Sequence, residues 1–332
     1  MVEVRNMKGA LLAVLAAIHV VGQVPVLSPD AEFELDAALK PHHKPTGRSY
    51  FAATRGGLSF IHIDENFISF NSADLDGRPL YATTRLASVH AFIYTALFRQ
   101  DGSVWIVSSG PASFSEFSAI GSLGSAAPEH ASTGQLFQHL APYNDFDLYN
   151  PTGKHLDSVR LLRPAAGGTE NAVAAGGDQL VLLGSYGPPG LSSNRSQSVR
   201  FGTVMNGEFK ERTVIRLSPP IRGFIPILVP NGNLLLINKT SGGMEVLDPS
   251  AKSGVYIHLS EPHPVRAAAF DAGYLYLLSG PVVLKTDLGG HLLSTFQFQL
   301  TSGFDPMLIG VTGAALYLVD KSGRAERFRL TL

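Results

Sequence analysis

Cysteine is absent from the 332 residues of the chain. Disulfides, thiolate metal sites, cysteine nucleophiles and the acylated anchor of a bacterial lipoprotein are therefore excluded together. Charge is sparse as well. Only 16% of residues are Asp, Glu, Lys or Arg, and the formal net charge is −1, so there is no basic footprint for nucleic acid. Low charge beside 45% hydrophobic residues also argues against disorder, which needs the opposite balance. Helical periodicity is missing after the first thirty residues. No Gly-x-Ser-x-Gly elbow, His-Glu-x-x-His helix or phosphate-binding glycine loop followed by Lys-Ser/Thr occurs.

What is present begins with a leader. Arg5 and Lys8 precede Ala10 to Val21, a 12-residue apolar run broken only by His19, and the small Gly22 follows. The run is shorter than the roughly 20 residues of a membrane span and suits a secretory signal. Residues 1–23 are expected to be a signal peptide and residues 24–332 one extracytoplasmic domain, periplasmic or secreted. The alternative is a retained anchor, since apolar character resumes at Val24 to Leu27. A membrane contact is expected only in that case.

From Arg266 to Leu300, four apolar runs rich in Val, Leu, Tyr and Phe alternate with Asp-Ala-Gly, Ser-Gly and Asp-Leu-Gly-Gly clusters. This is the pattern of four strands joined by hairpins. Such a sheet cannot bury both faces alone and has to stack on copies of itself. The copies are marked by a glycine in the first turn of each: Gly57, Gly102, Gly177, Gly232, Gly273 and Gly313. The last two intervals are 41 and 40 residues, and the longer earlier ones contain insertions at 109–144 and around Tyr186 to Asn194. Four strands repeating near 40 residues predict an all-β fold, a β-propeller with four-stranded blades. Five units are complete and the sixth has three strands. The alternating stretch Ala31 to Lys40 stands alone and supplies the missing one, which makes six blades in a ring closed by an N-terminal strand.

The run Pro306-Met-Leu-Ile-Gly, Gly313, then Ala-Leu-Tyr-Leu-Val-Asp320 resembles the blades of six-bladed NHL-like propellers. Leu284-Lys-Thr-Asp-Leu-Gly-Gly-His and Phe146-Asp-Leu-Tyr-Asn-Pro-Thr-Gly-Lys154 look like the other half of such a blade. The resemblance covers most of the chain after Ser49 and is one of architecture. WD-repeat and kelch signatures are absent.

In that architecture the first strand of each blade lines a central channel. Inter-blade connections and the loops between second and third strands share one face. The 109–144 insertion and Tyr186 to Asn194 fall on it, and long loops there are often functional. His42, His43, His90, Glu170, Asn171, Arg222, His263, Arg266 and Asp305 stand at blade entries and are candidates for a channel-mouth ligand site. Adjacent His42 and His43 would point to opposite sides of a strand, which opposes a shared zinc site. The resemblance also implies an alternative, a calcium-dependent hydrolase of the lactonase type. Glu170, Asn171 and Asp305 would then supply oxygen ligands. The first blade has no acidic residue in its opening strand, and no second Asn stands at a matching blade entry. The leading expectation is therefore an extracytoplasmic binding or scaffolding module, monomeric, without cofactor, metal or nucleic-acid partner. Its partner would be a protein or a small molecule held on the loop face. Asn194-Arg-Ser and Asn238-Lys-Thr match the glycosylation triplet, a pattern frequent by chance.

Overall fold

The computed structural model describes residues 24, 26–35, 47–63, 67–86, 92–99, 101–110, 143–162, 169–186, 196–205, 208–259 and 262–330. Among them there is no helix. The strands form six sheets, each built on four antiparallel strands and opened by a strand on the central axis. The fold is a six-bladed β-propeller. Blades one to six occupy residues 48–86, 92–162, 169–217, 224–257, 267–298 and 306–329. The innermost strands are Arg48–Thr54, Phe92–Phe98, Thr169–Gly176, Phe224–Leu228, Ala267–Asp271 and Pro306–Thr312.

The second strand of a blade is sandwiched between neighbouring blades, so it reads as a continuous apolar run rather than an alternating one. In Leu234–Asn238, Leu234 and Leu236 pack toward blade three, whereas Leu235 and Ile237 pack toward blade five. In Ala315–Asp320, Leu316 and Leu318 face blade five while Tyr317 and Val319 face blade one. Each contact between neighbouring blades thus has its own apolar cluster, including the contact between the last blade and the first.

Closure follows the counting argument. Ala31–Glu34 pairs antiparallel with the third strand of blade six, Arg324–Arg329, and becomes its fourth strand. The strand is shorter than the expected Ala31 to Lys40: Leu35 turns inward to the blade six–blade one cluster, and 36–40 lie outside the described residues. A second clasp was not expected. Val26–Leu27 pairs parallel with Leu292–Phe298 and adds a fifth strand to blade five. Val26 and Leu27 thus cover a sheet edge.

Ion pairs reinforce the join. Asp30 accepts hydrogen bonds from Arg327 Nε at 2.9 Å and Arg329 Nε at 2.6 Å, and Arg327 also reaches Asp76 of blade one at 2.6 Å. Burial works against the Asp30 charge, but the two arginine hydrogen bonds prevail and hold its carboxyl below the ordinary range. The same carboxylates, Asp30 first, raise the pKa of Arg327. Tyr317 adds a neutral link, donating its hydroxyl to the Leu75 carbonyl at 2.9 Å.

All six repeat glycines have positive φ, from 54° at Gly177 to 137° at Gly57. Gly57 shows the requirement most sharply, because a Cβ there would lie 2.5 Å from the Ala73 carbonyl oxygen. The Asp that ends the blade-six strand has an equally local cause. Asp320 Oδ1 accepts from the backbone N–H of Ser322 at 2.8 Å and of Arg324 at 3.0 Å, closing the next turn.

Candidate functional site

The six innermost strands surround a cavity of about 710 Å³ on the ring axis. Most of its described lining side chains are apolar. Blades three and five contribute Ala172, Ala174, Ala175, Ala267, Ala268 and Ala269, small residues that also pack against the clusters between blades. Blades four and six bring larger groups, Phe224, Ile225 and Met307 among them. Met307 sits at a register shift between Pro306 and Leu308, an irregularity of the kind that re-aims side chains, and its side chain stays exposed in the bore.

Among the described residues, the ionisable side chains in this lining are Tyr50, Lys239 and Arg266. Lys239 follows the second strand of blade four, in the turn Lys239 to Gly243 on the loop face. Its N–H donates to the Gly223 carbonyl at 2.8 Å, and its own carbonyl accepts from Val265 N–H at 2.7 Å. Lys239 is thereby pinned between the connections that lead into blades four and five. Arg266 stands one residue before the innermost strand of blade five, with its N–H on the Leu278 carbonyl. Both cations therefore lie at the loop-face end of the channel.

Arg266 Nη1 donates to Asp305 Oδ1 at 2.6 Å, across the entries of blades five and six, and both side chains are exposed. Arg222 is exposed in the connection entering blade four. His263 is half-buried in the connection entering blade five, its N–H on the Ser241 carbonyl at 3.1 Å. Glu170 and Asn171 lie on the innermost strand of blade three, opposite Gly184 and Leu183. His42, His43 and His90 lie outside the described residues, as do 111–142 of the long insertion. Its flanking strands pair Gly110 with Tyr143, so the insertion joins the second and third strands of blade two.

Of the oxygen set expected for calcium, the side chains of Glu170 and Asn171 lie outside the described residues. Asp305 holds a guanidinium, and no three His, Asp or Glu side chains gather into a metal-binding group among the described residues.

Two features of the mouth are visible only in three dimensions. Lys239 belongs to the Asn238-Lys-Thr triplet, and Asn238 Oδ1 accepts from the N–H groups of Thr240 and Ser241, so this side chain closes the turn that presents the lysine. Its place in a second-to-third-strand turn was the available signal. The other is a serine–histidine contact. Ser49 lines the channel and lies 3.0 Å from Nδ1 of the buried His62. Ser49 Oγ donates to the Lys321 carbonyl at 2.9 Å. With that proton committed, Nδ1 is the donor to Ser49 and not its base. The pair ties blade one to blade six.

No protein-family model matches the chain, and no curated protein is similar enough to count as a relative. Solved structures of propellers do match. A catalytically inactive virginiamycin B lyase from Staphylococcus aureus, solved with quinupristin, is 12% identical, with a TM-score of 0.47 over 91% of this chain and 99% of that one. BamB from Moraxella catarrhalis is 10% identical, with a TM-score of 0.42 over 92% and 100%. A protein of unknown function from Bacteroides caccae is 14% identical, with a TM-score of 0.47 over 80% and 87%. Likeness at this level concerns the shape of the ring and carries no statement about its chemistry.

Proposed function

We propose that the protein is an extracytoplasmic binding module that takes a ligand into the loop-face mouth of its channel. The observation that carries this reading is the cavity of about 710 Å³, lined by innermost strands with small and apolar side chains and bordered by fixed cations. Its size falls within the range of small-molecule sites, about 300–1,000 Å³, and concave apolar walls with a few polar groups are what such sites share. The extracytoplasmic placement rests on the leader pattern at 1–23, and the mass of the mature protein recovered from periplasm or medium checks it.

The test is occupancy of the channel by an uncharged apolar probe. Nile red should bind the full chain with a blue-shifted emission, and Met307→Trp, which enlarges a side chain already exposed in the bore, should abolish it while leaving the melting curve intact. Emission unchanged by this variant would remove the channel as the site. The calcium-dependent hydrolase reading has its own check. Thermal unfolding with excess calcium and then with a chelator is expected to give one midpoint, and a rise of several degrees with calcium would restore that reading by linkage.

A further inference from the structure

We infer that the ligand of this channel is an amphipathic anion, an apolar chain ending in a carboxylate or similar head, with the head at Lys239 and Arg266. The inference rests on the channel being the binding site, as proposed above, and adds its chemistry.

Three observations converge on it. First, among the described residues the lining side chains include two cations and no carboxylate. Second, both cations stand at one end. The backbone of Lys239 is tied to Gly223 and Val265, so the stem of its side chain starts from a fixed point between two blade entries. Arg266 is tied to Leu278 in the same sector. Third, the one carboxylate seen among the described residues of this sector, Asp305, is spent on Arg266 Nη1. The sector keeps a positive excess, and Lys239 has no ion-pair partner among the described residues. An anion at the mouth meets this charge at close range, where low-dielectric walls concentrate the field. Below the mouth most of the described side chains are apolar, the alanines of blades three and five, Ile225 and Met307 among them. A cationic ligand would face repulsion at the mouth.

The probes that test this are dodecanoate, dodecanol and dodecyltrimethylammonium, below their micelle concentrations, competing for Nile red on the full chain. Dodecanoate should displace the dye at a concentration about tenfold lower than the ammonium compound. Decanoate should be about fifteenfold weaker than dodecanoate, because each of the two missing methylenes is worth roughly a fourfold change. Lys239→Glu, whose backbone links persist, should erase the preference for the anion while Nile red still binds, and added salt should narrow it. Equal displacement by anion and cation, or an anion preference that survives Lys239→Glu combined with Arg266→Gln, would overturn the inference and leave the channel as a site for uncharged ligands. Failure of Nile red to report the channel in the wild-type chain would overturn the binding reading itself.

Discussion

Single side chains in this molecule do two kinds of work, closing turns and closing the ring. Asp320 closes a turn. Replacing it with Ala leaves the N–H groups of Ser322 and Arg324 without their acceptor, at an expected cost of about 1–3 kcal/mol. Urea unfolding measures this, and Asp320→Asn, which keeps an acceptor oxygen, should recover most of it. Asp30 closes the ring. Its carboxyl is held below the ordinary value of 3.8, so the folded state favours the ionised form. That contribution is complete above the unfolded pKa and is lost as pH falls through the lower folded value. Melting temperature should therefore drop on acidification between about pH 5 and pH 2. Arg327→Met should melt lower at neutral pH and fall less steeply in acid. Parallel pH profiles for the two proteins would show that the Asp30–Arg327 contact does not couple to folding. The turn chemistry was legible in the sequence, because an Asx turn spans four residues. The ring-closing pair was not, since its partners are 297 residues apart and neither occupies a distinctive motif.

Strands differ by their distance from the axis. Second strands are buried on both faces, and outer strands on one at most. Leu235 has no exposed surface and packs toward blade five, so Leu235→Ala should cost about 2–5 kcal/mol. Val255, on the outer strand of the same blade, is 61% exposed, and Val255→Ala should change stability by no more than about 0.5 kcal/mol. Comparable losses at the two sites would contradict the sandwiching of second strands. This difference was half legible. Leu234 to Ile237 reads as an uninterrupted apolar run, which announces two buried faces, yet the run itself does not say which neighbour each residue meets. The two-residue strand Val26–Leu27 was beyond pattern reading, because alternation cannot be recognised over a single step.

At the scale of the whole molecule, the ring is held by six apolar contacts between blades and by a clasp formed by the first described residues and the last blade. Removing 24–34 exposes the outer strand of blade six and deletes Asp30 and the cover of blade five. The expected result is a lower midpoint in one cooperative transition, because loosening one contact weakens its neighbours around the ring. Circular dichroism and tryptophan fluorescence check it together, since the single Trp105 lies in blade two, remote in sequence from the clasp. A midpoint equal to that of the full chain would mean that the clasp does not hold the ring.

Taken alone, the sequence determined the number of blades, their boundaries and the strand that completes the last. Each of these is written in local chemistry: a glycine that needs positive φ, an Asx turn, an apolar run of strand length. It also placed Arg222, His263, Arg266 and Asp305 at blade entries. Only the tertiary structure decided which of these meet. The Arg266–Asp305 pair, the Lys239 cation at the mouth and the alanine-lined bore each join residues from separate blades. Contacts of that kind are set by how the sheets pack around the axis, and no short stretch of chain encodes them.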